Sequence, residues 1–252
     1  MAKKIDYNSF TELTFDDFRA RARDASLSPN EKIGFPDAYR EGYDDAILEN
    51  MVRLLPVLTR KGKTVLDLGC GCSPLASKLI KFAEKKNHTL LMADSKEMLA
   101  HLPKSKAVYK MPGLFPENFS RFASYRGKVD AVIVYSVLQH VIITGSVYNF
   151  IDSALELLVP GGVLLLGDIP NISKRNRFFS TPRGIAYHQK FTGKKTKPEL
   201  DLLSAKTHKI DDGILFGILQ RYRNCGCETY LLPQPESLPM HNRREDVLIV
   251  KG

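Results

Sequence analysis

Residues 65–75 read Val-Leu-Asp-Leu-Gly-Cys-Gly-Cys-Ser-Pro-Leu, a run that joins a buried-strand pattern to a glycine turn and then to a helix start. Few folds accommodate that order. Gly69 and Gly71 permit tight backbone geometry and close approach of a ligand, and Pro74 suits the first helical turn, where its missing N–H is no loss. Ser73 stands where a side chain is expected to cap that helix. Such a unit is a nucleotide-binding loop of open α/β sheets, whose ligands lie outside the carboxyl ends of the strands. Asp67, at the end of the strand, fits poorly beside a pyrophosphate and suits a ligand that carries positive charge and ribose hydroxyls.

Short runs rich in Val, Ile and Leu near 64–68, 89–93, 107–110, 129–134, 163–167, 228–232 and 246–250 alternate with helical segments. Continuous apolar runs mark strands buried on both faces, and the alternation implies crossover connections in a parallel sheet. The expected fold class is therefore α/β, a doubly wound, seven-stranded and mostly parallel sheet. Residues 1–60 read as an N-terminal helical cap. Within it Phe15, Phe18 and Ala22 stand at helical spacing, a loop follows through Ser28-Pro29-Asn30, and a second helix after Pro36 carries Ile47, Met51, Leu54, Leu55 and Leu58 as an apolar stripe. Residues 61–252 form the ligand-binding domain. Inside it, 170–210 replaces a single crossover helix between the fifth and sixth strands and reads as a substrate lid, the alternative being a solvated loop.

Val65-Leu66-Asp67-Leu68-Gly69-Cys70-Gly71 resembles motif I of the class I S-adenosylmethionine-dependent methyltransferases, whose fold is Rossmann-like. Three later segments agree with that family in order: Leu90 to Leu99 resembles the second strand with its ribose-binding acid, Val129 to His140 the fourth strand and its active-site end, and Leu158 to Leu166 the turn and fifth strand. A nicotinamide-dependent oxidoreductase is the physical competitor. Asp94 lies 25 residues beyond Gly69, near the roughly 20 expected of a ribose-binding acid in either class. Against a dinucleotide, the third glycine of G-x-G-x-x-G falls on Pro74, and Asp67 would face a diphosphate.

The resemblance implies S-adenosylmethionine as cofactor. It sets Asp67, Gly69, Cys70 and Gly71 along the methionine part, Asp94 on the ribose hydroxyls with Ser95 beside it, and Tyr135 and Ser136 near the methionyl chain and sulfur. After the third strand the family carries an acid near the adenine. This chain instead has Lys110-Met111-Pro112-Gly113-Leu114-Phe115, so the backbone of Gly113 and Leu114 and the ring of Phe115 are the expected contacts. Tyr39 and Arg40 are candidates for the cofactor carboxylate, which a guanidinium fork matches. His140 is the candidate general base, an imidazole suited to proton removal near neutrality, with a packing histidine as the alternative. Gln139, Asp168 and Asn171 are substrate candidates; Asp168 is read as orienting His140, binding substrate or capping a strand end. Arg175, Arg177, Arg243 and Arg244 are candidates for an anionic substrate group.

The 252 residues carry 37 Lys and Arg against 28 Asp and Glu, a formal charge of +9, and a basic surface draws anionic partners. The expected acceptor is a small anionic metabolite, phosphorylated or nucleotide-linked, methylated on oxygen. Gly167 to Asn171 and Glu31 to Pro36 resemble segments of methyltransferases from bacterial surface-glycan (polysaccharide) biosynthesis. RNA is the second acceptor class, without a recognisable RNA-binding module or the Asn/Asp-Pro-Pro-Tyr/Phe signature of base amino-group methylation. A cofactor-binding partner without catalysis is the third reading. No apolar run approaches the ~20 residues that cross a bilayer, and Met1 to Tyr7 lacks a signal-peptide stretch, so a cytoplasmic protein off the membrane is expected. The pairs Cys70/Cys72 and Cys225/Cys227 are spaced too closely for a usual structural zinc site, so neither metal nor disulfide is expected.

Overall fold

Apolar segments spaced along the chain pair into one sheet in the computed structural model, which describes residues 12–200 and 209–252. In chain order come α1 (Phe15–Arg23), α2 (Pro29–Lys32), a 3-10 turn (Asp37–Tyr39), α3 (Asp44–Leu54), β1 (Thr64–Leu68), α4 (Pro74–Lys86), β2 (Thr89–Asp94), α5 (Lys96–Ala100) and β3 (Val108–Pro112). Then follow β4 (Val129–Tyr135), α6 (Leu138–Thr144), α7 (Val147–Leu157), β5 (Leu158–Pro170), α8 (Ile172–Phe179), α9 (Pro182–Thr192), α10 (Asp212–Asn224), β6 (Glu228–Pro233) and β7 (Arg244–Val250). The spatial order is β3-β2-β1-β4-β5-β7-β6. β1 to β5 run parallel, and β7 lies antiparallel between β5 and β6. The fold is thus α/β and mostly parallel. β5 begins earlier than the apolar run suggests, because Leu158 pairs with Val129 ahead of a register shift.

The sheet is buried on both faces. On one, Leu66, Val132, Val134, Leu164 and Leu166 pack with Phe150, Ile151, Leu215 and Ile218 of α7 and α10. On the other, Val65, Leu90, Ala131 and Ile133 meet Ile47, Met51, Leu55 and Leu58 from α3 and the turn after it, and Leu79 and Ile80 of α4. Each such side chain contributes roughly 1.5–3 kcal/mol on burial. The stripe read on α3 therefore belongs to the sheet's own core.

Two N-terminal expectations are corrected. Ser28-Pro29-Asn30 opens α2 instead of a loop, because the Ser28 hydroxyl accepts the Glu31 N–H while Glu31 returns a bond to the Ser28 N–H. The second long helix starts at Asp44, since residues 37–39 close only a 3-10 turn before Gly42 takes φ +82°. The expected insertion folds in part into α8 and α9, and its residues 201–208, like the first eleven of the chain, lie outside the described residues. No helix among the described residues is long and apolar enough to cross a membrane.

Candidate functional site

The strand order reverses between β1 and β4, and that is where an open α/β sheet forms its crevice. Gly69 and Gly71 turn the chain there with φ +75° and +61°. A Cβ on Gly69 would stand 2.5 Å from a Val137 methyl, and one on Gly71 2.6 Å from an Ile33 methyl. The Gly69 N–H donates to the Ala93 carbonyl at 2.8 Å and the Gly71 N–H to the Asp94 carboxylate at 2.8 Å, tying the loop to the end of β2. Asp94 also accepts the Ser95 N–H at 2.6 Å. Ser73 holds the N-cap position of α4, but its hydroxyl makes no capping bond, contrary to expectation. With Pro74 at the start of the helix, one of the amides needing a partner is already absent.

A cavity over this loop collects Asp67, Gly69, Cys70, Gly71, Asp94, Gly113, Leu114, Phe115, Tyr135, Ser136, Arg40 and His140. Burial pushes the Asp67 carboxyl up to about 7, with the neighbouring Asp94 charge adding to it. Burial likewise pushes Asp94 up to about 6, against the lowering effect of the Gly71 and Ser95 hydrogen bonds. A buried acid and a half-buried neighbour, both raised by desolvation, mark a pocket in which their negative charge is poorly compensated.

Arg40 provides a buried cation in the same cavity. Its guanidinium lies 4.1 Å above the Phe35 ring and donates through Nη2 to Asp168 Oδ2 at 2.9 Å and to the Ser136 hydroxyl. Ser136 donates in turn to Asp168 at 2.6 Å. Ser136 and Asp168, at the carboxyl ends of β4 and β5, hold φ of +61° and +57°. That region is sparsely populated by residues with a Cβ, so the surrounding bonds must hold them there.

His140 lines the cavity with Nδ1 3.2 Å from the Leu13 carbonyl. That contact is a hydrogen bond only when Nδ1 carries the proton, which leaves Nε2 a lone-pair acceptor. Burial brings the imidazole down to about 4, so it is neutral at neutral pH. Phe18 packs edge-on against it at 4.8 Å.

Other expected residues stand elsewhere. Asp168 does not reach His140; it is taken up by Arg40, Ser136 and Arg244, whose Nη1 is 3.3 Å away. Tyr39 stacks on Phe191 of α9 at 5.7 Å, outside the cavity lining. The Ser95 hydroxyl caps α5 by accepting the Met98 N–H. Gln139 donates to the Ser136 carbonyl at 2.7 Å, and Asn171 caps α8 while donating to Asp212 and Glu245. Arg177 pairs with Asp212, Arg175 lies over Phe179, and Arg243 lies over Tyr39 and Phe179. None of these lines the cavity.

Among the described residues, the cavity roof comes from the N-terminal segment, and none of those in the 170–210 insertion lines it. Phe15 and Phe18 of α1, Asn30, Ile33 and Phe35 line it, as does Asp44 at the start of α3, whose carboxyl is raised chiefly by burial. The helical spacing of Phe15 and Phe18 signals an apolar face but not what that face covers. The cysteines are free, and among the described residues no His, Cys, Asp and Glu cluster can hold a metal.

No family model matches the chain. Half of it, 133 residues, is 29% identical to chondramide synthase cmdD of Chondromyces crocatus, and spans only 3% of that protein's length. Among solved structures it is similar to the plantazolicin methyltransferase BamL in complex with a triazolic desmethylPZN analog and SAH, at TM-score 0.58 and 12% identity over 97% of both chains. It is also similar to the CurJ carbon methyltransferase, at TM-score 0.56 and 13% identity over 97% of this chain and 66% of that one. The fold is that of the class I methyltransferases. The small RNA methyltransferase HEN1 shares it, at TM-score 0.53 and 15% identity over 82% of this chain and 25% of that one. The methyltransferase fold thus serves acceptors of unrelated chemistry, and the acceptor has to be read from side chains.

Proposed function

We propose that the chain is an S-adenosylmethionine-dependent methyltransferase acting on an oxygen of a small anionic metabolite, phosphorylated or nucleotide-linked. The observation that carries this reading is the pairing, in one cavity, of two raised carboxylates with a buried guanidinium. A ligand with a sulfonium, an ammonium and a carboxylate satisfies all three, whereas the diphosphate of a dinucleotide would face Asp67 and be repelled by it. Arg40 Nε and Asn30 Oδ1, buried without partners, fit a polar ligand in that space. S-adenosylmethionine supplies an electrophilic methyl group when bound. Arg40 holds the carboxylate, with Asp168 and Ser136 fixing the guanidinium; Asp67 balances positive charge, and Asp94 takes the ribose hydroxyls. Phe115 walls the adenine side. His140 accepts the acceptor hydroxyl's proton at Nε2, and positioning supplies most of the acceleration.

Calorimetry with S-adenosylmethionine and with NAD tests the cofactor. Saturable heat with the first and none with the second is expected; the reverse overturns the reading. Release of S-adenosylhomocysteine across phosphorylated sugars and nucleotide-linked metabolites then tests the acceptor. RNA is the second reading, favoured by the basic segment 172–200 and by the likeness to HEN1. Steep loss of RNA affinity with added salt, together with methyl transfer to RNA, would favour it.

A further inference from the structure

The face built by α8, α9 and the turn at Asp37–Tyr39 has a composition that the cavity does not account for. Tyr39, Phe191 and Tyr187 form a near-parallel stack, with centroids 5.7 and 6.2 Å apart and planes inclined by 12° and 4°. Phe178 closes on Tyr187 at 72°. Despite this order, Phe191 remains 47% and Tyr187 36% exposed. Large rings left in water while locked by their neighbours make a rigid stacking surface, whereas rings that project singly suit insertion into a bilayer.

Charge surrounds the stack. Residues 172–200 hold eight Lys and Arg and a single acid, Glu199, so this short segment carries most of the chain's +9. Arg243 lies 6.0 Å from the Tyr39 ring centre and 5.9 Å from that of Phe179. Lys190, Lys194, Lys195 and Lys197 are exposed, and Gln189 of α9 donates to the Lys195 carbonyl at 3.2 Å, folding the lysine loop back onto the helix. The surface also adjoins the cavity. Arg243 faces Tyr39, while the next residue, Arg244, lies over Phe35 of the cavity wall at 5.7 Å; Tyr39 itself precedes Arg40.

Rings that stack and cations that pair with phosphate together match one ligand chemistry, a base joined to a phosphate chain. We infer that this face is a subsite for the nucleotide part of the acceptor, which holds a nucleoside diphosphate on the Tyr39–Phe191–Tyr187 stack with the attached group directed toward the cavity. The inference rests on the small-acceptor reading above, and its test does not require methyl transfer.

The chain contains no tryptophan, so Phe191→Trp introduces a single fluorescent reporter into the stack. Uridine diphosphate is expected to quench it saturably, and pyrophosphate or ribose 5-phosphate to leave it unchanged. In the otherwise unaltered protein, calorimetry should show uridine diphosphate binding that Phe191→Ala weakens about tenfold, the size of one lost base-stacking contact. S-adenosylmethionine binding should be unchanged in both variants, which separates failure of this subsite from failure of the cofactor assignment. No saturation with uridine diphosphate, equal quenching by pyrophosphate, or stronger binding by single-stranded RNA or by anionic phospholipid vesicles would each overturn the proposal.

Discussion

At the residue scale the decisive contact is between His140 Nδ1 and the Leu13 carbonyl, because a main-chain oxygen can only accept and so fixes the imidazole tautomer. His140→Asn keeps an amide donor for that carbonyl but removes the basic nitrogen. Single-turnover methyl transfer should fall by about 10²–10⁴ with cofactor affinity nearly unchanged; an unaltered rate would reduce His140 to a packing residue. The imidazole already lies at about 4, so its ionisation should leave no inflection in the rate between about pH 6 and 8. Much of this site is legible in the sequence, since Asp67, Gly69, Gly71 and Asp94 are bound to strand ends by local geometry. Arg40 is legible as a candidate, but its partners Ser136 and Asp168 lie 96 and 128 residues away, and no local pattern encodes such a meeting. Arg175, Arg177 and Arg243 illustrate the same limit: residue type signals an appetite for anions, while only the fold decides that Asp212 satisfies one and aromatic rings flank the others.

At the scale of elements, α1 is held against α5 by Glu97, which accepts from Arg19 at 3.1 and 3.2 Å and also pairs with Arg23. The Arg19 hydrogen bonds first, then that of its own backbone N–H and that of Arg23, bring the Glu97 carboxyl down to about 2. A carboxyl depressed in the folded state stabilises above its unfolded pKa and loses that contribution as pH falls through the folded one, so the clasp is intact at neutral pH. The pairs are partly exposed and open to screening by salt. Glu97→Gln should therefore raise the off-rate of S-adenosylhomocysteine in stopped-flow measurements and speed proteolysis within α1, and high salt should reproduce both effects in the parent protein. Equal off-rates would show that α1 does not govern release. The strands were readable because burial on both faces demands unbroken apolar runs. Which helix roofs the cavity was not, because an amphipathic stripe looks the same whether it covers a sheet, a ligand or another helix.

For the whole molecule, the two raised acids link ligand binding to protons. Both stand above the ordinary carboxyl value of 3.8 when folded. Their neutral forms therefore favour the folded state, a contribution that is complete below 3.8 and lost as pH rises through about 6 and 7. The ligand-free protein should melt at a lower temperature at about pH 8 than at about pH 5 on this account, and Asp67→Asn should flatten the difference. On the proposed reading S-adenosylmethionine is held by the ionised acids, so its affinity should strengthen over the same interval with proton release visible as buffer-dependent heat. A pH-independent affinity would remove the carboxylates from the binding site.

The left-handed backbone at Ser136 and Asp168 has a consequence for anyone who selects improved versions of this protein. Glycine at either position relaxes the main chain by roughly 1 kcal/mol, yet at Asp168 it strands the buried Arg40 guanidinium without its counter-ion, a loss of about 3–5 kcal/mol, so heat challenge should purge that replacement and spare the one at Ser136, where the Arg40–Asp168 pair survives. A library screened only for survival at high temperature would therefore keep the acid and drift at the serine, toward sturdy molecules whose guanidinium is less firmly aimed.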